Sequence, residues 1–184
     1  MEQALVFASI VLGVAIASEL NNLHKLLQSD KVRWHWAQAL YALLTLVAIM
    51  SFWWMIAKRS SGDEITLAQF LPVMWVMVIF NLMASAALPD TIAEEGLNMA
   101  DYYQDRRRYL WGLYLLASLP LAGSWIVHSV RTAEGLGRFA AMAGPELFGV
   151  AVLVFLFLVR SWWLVGLGFA AYGLLAGGWL FRAL

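Results

Sequence analysis

Long apolar segments dominate this 184-residue chain and limit what it can fold into. Of its residues, 62% are hydrophobic and only 13% are charged. A soluble domain is about 45–50% apolar and about 25% charged, so this sequence lacks the side chains needed to cover a water-facing surface. A membrane-spanning helix needs about 20 apolar residues, which leaves room for about six short-looped spans. The sequence therefore predicts an all-α polytopic integral membrane protein that forms one transmembrane domain over residues 1–184.

The apolar segments also give approximate span boundaries. We place the six spans at about residues 4–27, 34–57, 67–88, 109–130, 145–159 and 162–181. Pro89 ends the third span, and Thr91 to Glu94 then matches a capping box, which predicts a short interfacial helix between spans three and four. Pro120 lies near the middle of the fourth span and is expected to kink it, because proline removes a backbone donor. Pro145 followed by Glu146 is typical of a helix start, which predicts a short fifth span, or a longer one if Phe139 to Ala143 already lie in the interface.

Composition excludes several classes of function. The chain has no cysteine, which excludes disulfides, iron–sulfur clusters and cysteine nucleophiles. Its 12 basic and 12 acidic residues give a net charge of zero, and no basic stripe with interleaved aromatic residues indicates nucleic-acid binding. Signatures of zinc peptidases, serine hydrolases and phosphate loops are also missing. The sequence predicts no cofactor and favours a non-enzymatic function.

The distribution of Lys and Arg gives an expected orientation. One face of the membrane is formed by residues 25–33, 89–108 and 160–161, and we call it the vestibule face. It collects seven basic residues: Lys25, Lys31, Arg33, Arg106, Arg107, Arg108 and Arg160. The opposite face collects five: Lys58, Arg59, Arg131, Arg138 and Arg182. Because positive charge favours the cytoplasmic side, we expect a plasma (inner) membrane protein with the vestibule face inside and both termini outside.

Polar residues of the first three spans lie at similar depths. Glu19, Gln38 and Asn81 are four to eight residues from a span end on the vestibule face, or roughly 6–12 Å along a helix. Helical spacing places Asn22 on the same face as Glu19, and Ser85 on the same face as Asn81. Polar side chains are costly in lipid, so we expect these five to point into the bundle as a permeation or binding layer.

Further polar residues lie closer to the membrane surface on the same face. His24, His35, Asp90 and Arg106 all fall between the predicted layer and water. We expect them to form a polar vestibule that leads down to Glu19. The leading hypothesis is therefore a small channel or transporter whose polar layer opens to one membrane face.

Two other classes of function stay open. Glu19, His24, His35 and Asp90 could instead form the site of a membrane-embedded enzyme, or His24 and His35 could bind a metal or haem. Alternatively, the amides serve only as hydrogen-bonding groups between helices, and the protein is an accessory subunit of a membrane complex.

Two features suggest partners. Arg106, Arg107 and Arg108 are consecutive at the vestibule face and predict contact with anionic lipid headgroups. The sixth span has no ionisable group before its end and carries Gly173 and Gly177, a spacing that allows helices to approach closely. We therefore expect a homo-oligomer that associates through this helix.

Overall fold

The computed structural model describes residues 2–59, 66–133 and 135–182, and it is 85% helical. Its elements are α1 (Glu2–Leu27), β1 (Val32–Arg33), α2 (Trp36–Arg59), α3 (Leu67–Ala87), β2 (Leu97–Asn98), α4 (Met99–Thr132), α5 (Leu136–Leu158) and α6 (Trp162–Arg182). Helices α1 to α5 are long and apolar enough to cross a membrane, whereas the described apolar part of α6, Trp162–Leu175, is shorter. The chain is an all-α polytopic membrane protein, as predicted.

The helices pack in a bundle in which α2 and α4 have the most varied neighbours. Helix α1 packs against α2 and α3, α3 also packs against α4, and α4 packs along α5, which in turn contacts α6. Helix α2 touches α4 and α6 as well. Side chains that α2 and α4 direct inward therefore meet residues from most of the other helices.

The connection between α3 and α4 differs from the prediction. Residues 88–98 contain no helix, so the expected interfacial helix after Pro89 is wrong. Instead, β2 pairs in parallel with β1, and the Leu97 amide donates to the Lys31 carbonyl at 3.0 Å. Gly96 has φ +100°, and a Cβ there would lie 2.9 Å from the Lys31 carbonyl oxygen. Residues 97–98 pair with residues 32–33 of the α1–α2 connection. This pairing satisfies backbone N–H and C=O groups that would have bonded to each other within a helix.

Two helices begin earlier than the apolar segments suggested. Helix α4 starts at Met99, where the Asn98 side chain accepts a hydrogen bond from the Ala100 amide at 3.1 Å. Helix α5 starts at Leu136, directly after Gly135, so Pro145 lies inside the helix and does not begin it. Pro145 is tolerated there because a proline in a membrane helix can be accommodated by neighbouring groups.

Pro120 shows how such a neighbour compensates for a missing donor. A proline leaves the carbonyl four residues earlier without its helical partner, and for Pro120 that carbonyl belongs to Leu116. The indole Nε1 of Trp75, on α3, donates to the Leu116 oxygen at 2.9 Å. The Trp75 indole thus stabilises the proline-containing part of α4 and ties it to α3.

The glycines of α6 divide between two environments. A Cβ on Gly168 would overlap the Leu156 side chain, so this glycine allows α5 and α6 to approach closely. A Cβ on Gly173 or Gly177 would meet no described atom within 4 Å. These two glycines therefore serve no close contact within the described chain, and the homo-oligomer remains a prediction.

Candidate functional site

Three polar side chains converge on the last carbonyl groups of α3. Asn22 Nδ2 donates to the Leu88 oxygen at 3.1 Å, and Gln38 Nε2 donates to the Ala87 oxygen. The Tyr102 hydroxyl donates to the neighbouring carbonyl of residue 86 at 3.0 Å. The last carbonyls of a helix have no intrahelical partner, so α1, α2 and α4 each supply a donor that the end of α3 requires.

Glu19 lies one helical turn before Asn22, on the same face of α1, and only 1% of it is exposed. Within the described residues, neither of its carboxyl oxygens has a hydrogen-bond partner. The same holds for Gln38 Oε1 and for the hydroxyl of Tyr114. A buried acceptor without a partner is costly, so each of these oxygens is suited to receive a hydrogen bond or a proton.

The electrostatics of the site also favour positive charge. A helix C-terminus carries about half an elementary negative charge, and α3 ends beside Asn22 and Gln38. Glu19 adds its own carboxyl group one turn away. In membrane transporters, backbone carbonyls at helix C-terminal ends coordinate Na⁺ or H⁺.

Tyrosines of α2 and α4 border the Glu19 site. Both Tyr41 and Tyr114 are buried and interact electrostatically with Glu19. Tyr41 donates to the Leu110 carbonyl at 3.0 Å, while the nearby Thr45 hydroxyl donates to the Tyr41 carbonyl at 3.0 Å. The Tyr41 and Tyr114 rings lie 5.5 Å apart in an edge-to-face arrangement.

Sequence reasoning missed these tyrosines because an aromatic residue in a membrane span is usually a packing residue. One signal was available for Tyr41, which follows Gln38 by three positions and so shares its face of α2.

The other two residues of the predicted layer occupy different surroundings. Asn81 is half-buried and Ser85 is exposed. The Ser85 hydroxyl donates to the Asn81 carbonyl at 2.9 Å, one turn earlier on α3. The structure thus brings Glu19, Asn22 and Gln38 into the interior and leaves Asn81 and Ser85 nearer the bundle surface.

Two of the predicted vestibule residues, Asp90 and Arg106, interact with Tyr102. His24, Asp90 and Arg106 are all exposed. The Arg106 guanidinium lies 5.5 Å from the centre of the Tyr102 ring, and Asp90 interacts electrostatically with the Tyr102 hydroxyl. Tyr102 also donates to the end of α3, where the buried amides of Asn22 and Gln38 bind neighbouring carbonyls.

His35 takes part in a helix cap and an aromatic contact. Its Nδ1 accepts a hydrogen bond from the Ala37 amide at 3.4 Å, and its ring centre lies 4.1 Å from that of Trp162. The described residues include no group of three or more His, Asp or Glu side chains placed to hold a metal ion.

We expect acid to weaken the fold through His35. Burial lowers the pKa of His35 below its ordinary value of 6.5, and protonation of Nδ1 would remove the acceptor that caps α2. The unfolded chain takes up this proton more readily than the folded protein. The stabilising contribution of the Nδ1 cap is therefore complete above about pH 6.5 and is lost as the pH falls below it.

The measurement is the melting temperature in detergent between about pH 8 and pH 5. His35→Asn keeps a capping acceptor that does not titrate, and we expect this variant to lose less stability on acidification than the wild type. An identical pH dependence in both proteins would contradict the role of His35.

The arginine triplet is divided between the interior and the surface. Arg107 is buried, where its Nε donates to the Phe157 carbonyl at 3.3 Å and its Nη1 to the Gln104 side chain at 3.4 Å. Gln104 in turn donates to the Arg160 carbonyl at 2.9 Å. Arg107 and Gln104 thus bind the end of α5, and only Arg106 and Arg108 are exposed for the predicted lipid contact.

The fold and the site define a class: a polytopic helical membrane protein with a buried carboxyl group beneath a polar surface. Comparisons with protein-family models, with curated proteins and with solved structures found no match to this chain.

Proposed function

We propose that this protein is a small channel or transporter that carries protons or small cations and binds them at Glu19. The observation that carries the proposal is the buried Glu19 carboxyl group, whose two oxygens have no hydrogen-bond partner in the described part of the chain. An ionised carboxyl group inside a membrane costs a few kcal/mol or more unless it is paired or hydrated. A proton or a cation bound at Glu19 removes that cost.

The surrounding groups support an exchangeable ligand. Gln38 uses its amide nitrogen to bind α3, which leaves its Oε1 without a partner in the described residues. Tyr114 contributes a hydroxyl in the same state. Buried oxygens of α1, α2 and α4 thus have no hydrogen-bond partner, and no basic side chain of the described residues pairs with Glu19.

The vestibule face offers the shorter route to this site. Glu19 precedes the end of α1 at Leu27 by eight residues, which corresponds to about 12 Å along the helix. The exposed His24, Asp90 and Arg106 lie at that end. We infer that the transported species enters from this side.

The test is a flux measurement on the purified protein in liposomes. Proton, sodium and potassium fluxes are recorded with ion-sensitive dyes for the wild type, Glu19→Gln and Glu95→Gln. Glu95 is an exposed acid of the vestibule face, so its variant removes the same charge without touching the site. We expect Glu19→Gln to reduce flux to the level of empty liposomes and Glu95→Gln to retain it.

Folding must be monitored in the same samples, by melting temperature and by gel filtration in detergent. Glu19→Gln keeps the size of the side chain and removes a buried charge, so we expect it to fold. Wild-type protein without flux of any of the three ions, or equal flux in Glu19→Gln and the wild type, would overturn the proposal.

A further inference from the structure

An open groove lies between the first turns of α2 and α6, at the vestibule face. Its volume is about 520 Å³, and its lining consists of Trp36, Trp162, Trp163, Gly166 and Leu167. We call it the tryptophan groove. Its volume falls within the range of about 300–1,000 Å³ that is typical of small-molecule sites. Because its lining is aromatic and aliphatic, the groove suits a hydrocarbon chain.

Neighbouring aromatic rings hold the sides of the tryptophan groove in place. The ring centres of Trp36 and Trp162 lie 6.2 Å apart, and the His35 ring lies 4.1 Å from that of Trp162. On the interior side, the buried Tyr103 ring lies 5.8 Å from Trp162, and the buried Phe169 ring lies 5.9 Å from Trp36. The groove is therefore a packed feature of three helices, α2, α4 and α6.

Gly166 keeps space open in the tryptophan groove. A Cβ at this position would lie 3.7 Å from the Trp36 ring, which is ordinary van der Waals contact. Alanine therefore fits at position 166, whereas a larger side chain would extend into the groove. Trp163 and Leu167 are 72% and 48% exposed, so the groove is accessible from the lipid that surrounds the helices.

An exposed arginine precedes each of the two helices that form the tryptophan groove. Arg33 stands three residues before Trp36, and Arg160 stands two residues before Trp162. Neither α2 nor α6 contains an acidic residue. Among the described residues, no ion pair is formed by either arginine. Positive charge at the membrane surface thus lies beside an apolar groove that extends below it.

The backbone of Arg160 is held against α4, which brings a third arginine to the same place. The Gln104 side chain donates to the Arg160 carbonyl at 2.9 Å. Arg108 follows Gln104 by one helical turn and so shares its face of α4. Arg108 is exposed, and it adds to the positive charge near the start of α6.

We propose that the tryptophan groove binds an anionic phospholipid, with an acyl chain along Gly166 and Leu167 and the phosphate group at Arg33 and Arg160. Basic pockets between membrane helices bind anionic headgroups in this way, and a guanidinium group matches the geometry of a phosphate. This site is separate from the surface contact of Arg106 that the sequence predicts. It does not depend on whether the protein transports ions.

The two parts of the site make different contributions to lipid binding. The groove contacts the acyl chain, which phosphatidylglycerol and phosphatidylcholine share. The arginines respond to the net charge of the headgroup, which is negative only in phosphatidylglycerol. Changes in the groove should therefore weaken binding of both lipids, and changes at the arginines should weaken binding of phosphatidylglycerol alone.

The test titrates the delipidated protein in a neutral detergent with each lipid, both carrying the same acyl chains, and measures the complexes by native mass spectrometry. We expect Arg33→Gln and Arg160→Gln each to lower the affinity for phosphatidylglycerol by about fivefold, the usual effect of one basic residue at a membrane surface. Their affinity for phosphatidylcholine should match the wild type. Arg131→Gln, at an exposed position of the opposite face, is the matched control and should bind both lipids normally.

The groove is tested by Gly166→Leu, which should lower the affinity for both lipids by about tenfold or more, because each buried CH₂ group strengthens binding about fourfold. Gly123→Leu is the matched control, since a Cβ there would meet no described atom within 4 Å. Trp163→Ala removes an exposed part of the lining and should also weaken both lipids. It therefore decides the role of the groove even if Gly166→Leu does not fold.

Three outcomes would overturn the site. Equal wild-type affinity for the two lipids would exclude selection by the arginines. Normal lipid binding by folded Gly166→Leu and Trp163→Ala would exclude the groove. Inorganic phosphate is the third probe, because it carries the charge of the headgroup without an acyl chain. Displacement of phosphatidylglycerol by inorganic phosphate at equal concentration would show a phosphate site alone, whereas we expect the lipid to stay bound.

Discussion

Replacing Trp111 with alanine is expected to lower the free energy of unfolding by about 3 kcal/mol or more, which is the usual cost of removing a large aromatic side chain from a packed interior. Trp111 is fully buried and its ring contacts Tyr41, Tyr114 and Tyr172. The substitution creates a cavity between α2, α4 and α6, and it leaves the Tyr103 hydroxyl without its donor. Denaturant titration in mixed micelles measures the effect.

Trp125→Ala is the matched control for this experiment. Trp125 lies on the same helix, but 44% of it is exposed, and its indole donates to the Met142 carbonyl at 3.0 Å. We expect a loss of about 1 kcal/mol, the ordinary value of a single hydrogen bond. Equal losses in the two variants would show that the aromatic cluster around Trp111 does not stabilise the bundle more than a surface contact does.

The class of fold could be predicted from the sequence because the bilayer requires long apolar helices, and these leave an obvious pattern. Depth along the spans also identified Glu19, Asn22 and Gln38 as interior residues, since polar groups are costly in lipid, and all three are buried. Their hydrogen-bond partners could not be predicted. Depth gives the level of a side chain, but it does not give which carbonyl of another helix lies beside it.

Glu146 shows where local signals are misleading. A proline followed by an acid usually marks the first turn of a helix, and that pattern placed Glu146 near the membrane surface. In the structure, α5 begins at Leu136 and Glu146 lies in mid-span. The apolar residues before Pro145 outweigh the proline, because a helix that crosses the membrane must satisfy its backbone internally.

The loop between α3 and α4 shows a different limit. Thr91 and Glu94 match a capping box, but the backbone that follows pairs with residues 32–33. Such a contact joins segments more than 60 positions apart, and no local pattern records it. The glycine at position 96 is a local sign of this turn, because glycine tolerates the positive φ with which the chain approaches the Lys31 carbonyl.

The end of α3 provides a test that separates packing from transport. Gln38 is fully buried and donates to the Ala87 carbonyl. Gln38→Leu keeps the volume of the side chain but leaves that carbonyl unsatisfied, which costs about 1–3 kcal/mol in a buried environment. We expect a loss of about 2 kcal/mol, measured by the same titration. Gln28→Leu, at an exposed position after α1, should change stability by less than about 0.5 kcal/mol.

Asn22→Leu completes the comparison, because Asn22 binds the neighbouring Leu88 carbonyl. Both variants remove a donor from α3, so both should lower stability. They differ in one atom: Gln38 Oε1 is buried without a hydrogen-bond partner, whereas the unpartnered buried atoms of the described residues do not include any of Asn22. Proton flux per folded molecule should therefore fall in Gln38→Leu and persist in Asn22→Leu. Equal flux in the two variants would restrict Gln38 to holding α3, and unchanged stability in both would contradict the capping itself.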